Sequence, residues 1–164
     1  MQNSLNTIAV KLIERIGVQS GVEFAKELGI SSLVETGPVL DAGPSLALGG
    51  LTKGVSPLEM TGAFAAFANE GVYNKPFAIR RIEDANGNVL YEHTPEKHLA
   101  MTPQTAYLMT DMLMTAVQSG TGTKARLEGR QVAGKTGTTT LNVDAWFVGY
   151  TTDLAGLRSA RQYA

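Results

Sequence analysis

Ser56-Pro57-Leu58-Glu59 is the stretch that most constrains the fold. Ser56 suits a helix cap, proline is preorganised for the first helical position, and Glu59 completes a capping box. The helix that follows runs through Met60, Phe64, Phe67 and Ala68 to Gly71. Gly62, Ala63, Ala65 and Ala66 give it many small side chains. Such a surface lets another backbone approach closely, so the helix is expected to be largely buried. A chain of 164 residues can bury it in one domain, whereas two full domains would be a squeeze. Lys and Arg number 14 against 15 Asp and Glu, which argues against broad electrostatic binding to nucleic acid or anionic lipid. The absence of cysteine excludes disulfides, thiol catalysis and a cysteine-based zinc site. No apolar run is long enough to cross a bilayer, and no export signal is recognisable.

The remaining chain reads as helices and strands in alternation. Asn3 and Ser4 are good cap types, and Ile8, Leu12, Ile13 and Ile16 follow at helical spacing up to Gly17. A second short helix is expected from Gly21 to Leu28. Residues 31–55 form a Gly- and Pro-rich loop, long enough to shape a site or wrap a neighbour. Ala78-Ile79-Arg80-Arg81-Ile82 and Val89-Leu90-Tyr91 flank Asn86-Gly87, a tight-turn signal in which both residues tolerate positive φ. Thr102-Pro103 opens another helix to Ser119-Gly120. Gln131-Val132-Ala133 and residues 144–150 read as strands, the second a candidate central strand. Residues 157–164 show no strand pattern.

Three local patterns suggest chemistry and fail on context. Residues 129–136 satisfy G-x-x-x-x-G-K-[ST], the phosphate-loop expression. That motif needs a helix N-terminus after the lysine, whereas Gly137-Thr138-Thr139-Thr140 is a poor helix opening. Asp84, Asn86 and Asn88 alternate as in a calcium loop, but the glycine falls at the wrong offset and Pro95 stands where the closing Glu belongs. His93 and His98 flank Glu96 without regular ligand spacing and are expected to be solvated. No metal and no cofactor is expected.

Two short elements combine better. Ser4-Leu5-Asn6 opens the first helix, and Lys135-Thr136-Gly137 lies on or beside a strand. With Leu48-Gly49-Gly50-Leu51-Thr52-Lys53-Gly54-Val55-Ser56-Pro57-Leu58-Glu59-Met60, Ser119-Gly120-Thr121-Gly122-Thr123 and Asp144-Ala145-Trp146-Phe147-Val148-Gly149-Tyr150-Thr151, they occur in one order across residues 2–156. That order resembles class A penicillin-binding proteins, in the C-terminal part of the transpeptidase domain. The resemblance implies an α+β, β-lactamase/transpeptidase-like fold with an antiparallel sheet packed against helices, incomplete at both ends. Residues 1–156 would be a partial transpeptidase domain and residues 157–164 a divergent tail.

The resemblance also implies acyl transfer at a D-Ala-D-Ala stem peptide of peptidoglycan, with β-lactam antibiotics acylating the same serine. Matched residue by residue, Ser4 would be the relay hydroxyl and Asn6 would hold the substrate amide and orient the catalytic lysine. Lys135 would supply positive potential. Thr136 and Thr138 would bind the carboxylate, the Thr138 N–H would serve an oxyanion hole, and Gly137 would let substrate backbone lie on the strand edge. One part has no counterpart. No serine of this sequence has lysine three residues on, so the nucleophile motif is absent. The expectations are a catalytically dead chain, apolar surface exposed on the Ser4 helix and the Trp146 strand, and marginal stability or self-association. Two alternatives stand beside this: a non-catalytic remnant that still binds stem peptides or β-lactams, and a nucleotide binder at residues 129–136. The parent would act outside the cytoplasm at the bacterial plasma membrane, anchored through a segment this chain does not show.

Overall fold

The structure, a computed structural model, describes residues 1–139 and 144–161. The last three residues of the expected tail lie outside the described residues. The elements are α1 (Asn6–Ile16), α2 (Val18–Glu27), α3 (Pro57–Ala68), β1 (Val72–Asn74), β2 (Arg81–Glu83), β3 (Val89–Glu92), β4 (Lys97–Leu99), α4 (Pro103–Ser119), β5 (Ala133–Thr138), β6 (Asp144–Tyr150) and β7 (Ala155–Arg161). Every strand pairing is antiparallel: β1 with β4, β2 with β3, and β5-β6-β7 as a three-stranded sheet. The sheet packs on α3 and α4, giving the α+β arrangement expected.

α3 starts as the sequence dictates. Ser56 Oγ accepts the Glu59 N–H at 3.2 Å, and the Glu59 carboxylate accepts the Ser56 N–H at 2.9 Å. Gly62, Ala63 and Ala66 are buried, and a Cβ on Gly62 would stand 3.3 Å from Pro76. One side of α3 joins Leu28, Ile30, Tyr73, Met101 and Ala106 in a core cluster. Phe64 and Phe67 pack on a second cluster of Leu113, Ala133 and Tyr150. The Tyr150 hydroxyl ties β6 to α4 through Thr110 Oγ1 at 2.8 Å. Gly71 closes α3 at φ +88°, where a Cβ would lie 2.1 Å from the Met101 carbonyl oxygen.

Several local expectations change. α1 is capped by Leu5 without a side-chain cap bond, and Ser4 stands outside the helix. α2 begins at Val18, because Gly17 at φ +90° turns the chain and restarts the helix at once. Only Gly87 of the Asn86-Gly87 pair has positive φ. The Asp84 carboxylate instead organises the turn, accepting the N–H groups of Asn86 and Asn88 at 2.8 and 2.9 Å. That carboxylate is engaged in the hairpin, as the turn reading requires. His93 is stacked face to face on Phe77 at 3.9 Å rather than solvated, whereas His98 is exposed as expected and also bonds the Glu27 carbonyl oxygen at 2.8 Å.

The third sheet holds the largest difference. β5 begins at Ala133 rather than Gln131 and carries Lys135 in its interior. β6 is central, as expected. The strandless tail is not observed: residues 157–161 continue β7, with Leu157 opposite Val148 and Ser159 opposite Trp146. A main-chain ladder needs no apolar alternation, and among residues 155–160 only Ala155 and Leu157 are even half-buried. The exposed α1 face is present: Ile8, Leu12 and Ile16 are each more than half exposed. Trp146 is half-buried rather than exposed.

Candidate active site

α1 and β5 bring together residues far apart in the chain. Lys135 Nζ donates to Ser4 Oγ at 2.9 Å across 131 positions and to the Thr136 carbonyl oxygen at 2.8 Å. Burial holds the Lys135 ammonium below the ordinary lysine range. Ser4 adopts φ +50°, the left-handed region that non-glycine residues rarely occupy, so its hydroxyl is presented from a strained backbone. The two residues edge a cleft of about 720 Å³. Asn6, Thr136, Gly137 and Thr138 line the same cleft, with Ile8, Leu12, Phe64, Phe67, Met109 and Leu113 forming its apolar part. Asn6 projects from the first turn of α1 without a hydrogen-bond partner among the described residues.

The ladder sets which way β5 faces. Thr139 donates its N–H to the Asp144 carbonyl oxygen at 3.0 Å, in register with the Lys135–Val148 and Gly137–Trp146 pairs. Antiparallel alternation then turns the N–H groups of Thr136 and Thr138 away from β6, toward the open edge of β5. A Cβ on Gly137 would meet only Trp146 Cβ, at an ordinary 3.6 Å. Among the described residues, nothing therefore requires glycine there. Lys135 and Thr136 lie within a strand, and Gly129 sits in a loop at φ +70°, so residues 129–136 lack the strand-loop-helix context of a phosphate loop.

Two parts of the site had been given no residue roles from the sequence. Ala47 and Leu48, from a 3-10 turn at Pro44–Leu48, form one wall of the cleft. Buried Asp41 pins their loop by accepting the Val34 N–H at 2.8 Å and the Thr52 N–H and hydroxyl at 2.7 Å. These bonds, that of Val34 foremost, hold its carboxyl below the usual range. Thr121, in the turn after α4, shares a hydrogen bond of 2.7 Å with the Thr136 hydroxyl. The Ser119-Gly120-Thr121-Gly122-Thr123 block marked this turn in the sequence, without a role for the Thr121 hydroxyl.

Comparison with known proteins follows the same arrangement. A sequence model of the penicillin-binding protein transpeptidase domain matches residues 1–156. Penicillin-binding protein 1F of Bacillus subtilis is 41% identical over 93% of this chain, which spans 21% of that protein. The chain thus spans about a fifth of the curated relatives it matches. Penicillin-binding protein 1A of Haemophilus influenzae superposes with TM-score 0.81 at 24% identity, over 96% of this chain and 28% of that one. Penicillin-binding protein 3 of Mycobacterium tuberculosis, complexed with ampicillin, gives 0.73 at 26% identity over 96% and 42%. By sequence and by fold, the chain belongs to the penicillin-binding protein transpeptidase domain family, with class A proteins among its relatives.

Proposed function

We propose that this chain forms the relay and carboxylate-binding side of a D-Ala-D-Ala transpeptidase site. The observation that carries it is the Lys135–Ser4 hydrogen bond at the mouth of the cleft. Ser4 passes a proton toward the leaving nitrogen, and Lys135 supplies positive potential to the relay and the ligand carboxylate. Asn6 holds the substrate amide. Thr136 and Thr138 bond the carboxylate, the Thr138 N–H faces an oxyanion, and Gly137 leaves room for substrate backbone along β5. Residues 1–156 constitute the part-domain, and residues 157–164 are its divergent end. The ampicillin complex of a relative supports β-lactams as ligands, beside peptidoglycan stem peptides. No described helix is long and apolar enough to cross a membrane, and we assign the whole protein an extracytoplasmic site on the strength of its cell-wall substrate.

Acyl transfer needs a nucleophilic serine beside a lysine, and this sequence has no Ser-x-x-Lys. The chain therefore binds without being acylated. A fluorescent penicillin should leave no covalent label, while an N-acylated D-Ala-D-Ala peptide should bind and lose binding in Lys135→Ala. A stable adduct competed away by unlabelled penicillin would refute the inactivity. Peptide binding indifferent to Lys135 would refute the site.

A further inference from the structure

We propose that Thr121 is a positioning residue for ligand recognition, its hydroxyl orienting that of Thr136 so that Thr136 donates to a ligand carboxylate. The inference rests on the functional reading above and gives a role in that site to a residue that the sequence pattern left without one. The Thr121 Oγ1 to Thr136 Oγ1 distance of 2.7 Å is that of a well-formed O–H···O bond. A hydroxyl has a single proton and two lone pairs. If Thr136 donates to Thr121, it shows a carboxylate only lone pairs, which repel it. If Thr121 donates, the Thr136 proton is free. A carboxylate accepts only, so its arrival selects the order Thr121 to Thr136 to carboxylate, and each bond in such a chain polarises the next.

The backbone around Thr121 is held in place for this role. Its N–H donates to the Gln2 carbonyl oxygen at 3.2 Å, and Gln2 Nε2 donates to the Ser119 carbonyl and hydroxyl oxygens at 3.0 and 2.9 Å. A Cβ on Gly120 would lie 2.4 Å from the same Gln2 oxygen, so only glycine permits this approach. The turn thus grips the segment leading to Ser4 through its backbone and β5 through the Thr121 hydroxyl. Thr136 is held in one rotamer before a ligand arrives, which lowers the entropy lost on binding.

The test compares a D-Ala-D-Ala peptide with its C-terminal amide, titrated calorimetrically into the wild-type chain, Thr121→Val and Thr121→Ser. Thr121→Val keeps the shape and removes the hydroxyl. It should weaken the acid about fivefold, the size of one net hydrogen bond, and change the amide by less than about twofold. Thr121→Ser should restore acid binding. Equal loss of acid and amide, unchanged acid binding, or failure of serine to restore it would overturn the inference and leave the functional reading standing. A wild-type chain that binds neither peptide would overturn the functional reading and this inference with it. A ligand-free arm separates the two further: urea unfolding of Thr121→Val, Thr136→Val and the double variant should be non-additive. Strict additivity would remove the hydroxyl pair alone.

Discussion

Lys135 spends two of its three N–H donors on Ser4 and on its own strand, and the third has no partner among the described residues. Burial lowers its folded-state pKa below the roughly 10.4 of a free lysine. Below that lowered value the folded chain bears the full desolvation penalty. As pH rises through it toward the unfolded value, the unfolded state holds more protons and stability increases. Urea unfolding of the wild type against Lys135→Met should therefore show the wild type gaining relative stability across that alkaline window. A flat difference would place the ammonium in bulk-like water. Lys135, Thr136 and Gly137 were legible because their types and order carry the pattern. Ser4 was legible as a hydroxyl but not as a left-handed residue, since local sequence favours an ordinary cap there. Asp41 was illegible because its donors, Val34 and Thr52, lie at opposite ends of an irregular loop.

α3 shows how one local signal sets a whole element. Glu59 closes the capping box and also accepts the N–H groups of Ser31 and Ser32 at 2.9 and 3.1 Å, sewing the preceding loop to the helix start. Burial opposes its charge, but bonds from Ser56 and Ser31 outweigh that and draw its pKa down to about 2. Since the folded value is depressed, the stabilisation is complete above the free-carboxylate range and is lost as pH falls toward 2. Glu59→Gln keeps the Ser56 cap but replaces charge-assisted bonds from Ser31, Ser32 and Ser56 with neutral ones, and should cost about 1 kcal/mol at neutral pH. It should also flatten the dependence of the melting temperature on pH between roughly 4.5 and 2. A variant that keeps the wild-type slope would show that the carboxylate is not the titrating group. Helix ends with side-chain caps, at Ser56 and Thr102, were readable. β7 was not, because its pairing partner is β6 and its own side chains barely contribute.

Across the molecule, apolar surface is divided unevenly. α3 buries Gly62, Ala63 and Ala66 and α4 buries Ala106, Leu113, Ala116 and Val117, whereas Leu5, Ile8, Leu12 and Ile16 of the α1 region all stand more than half exposed. Each such side chain gains about 1.5–3 kcal/mol when fully buried, so the face favours association. Light scattering should find concentration-dependent oligomers, reduced in the double variant Ile8→Ser, Leu12→Ser. A monodisperse monomer with a cooperative melt would contradict this. The fold class was readable from motif order. The cleft walls were not, because they are assembled from the loop around Ala47 and from helices whose lining residues lie more than forty positions apart. Gly137 has a further consequence at this scale. A Cβ there would make only an ordinary contact among the described residues, so a chain released from ligand binding could drift to alanine there without a steric clash with them. Mutational tolerance at Gly137 would then record selection for the ligand rather than for the protein's own architecture.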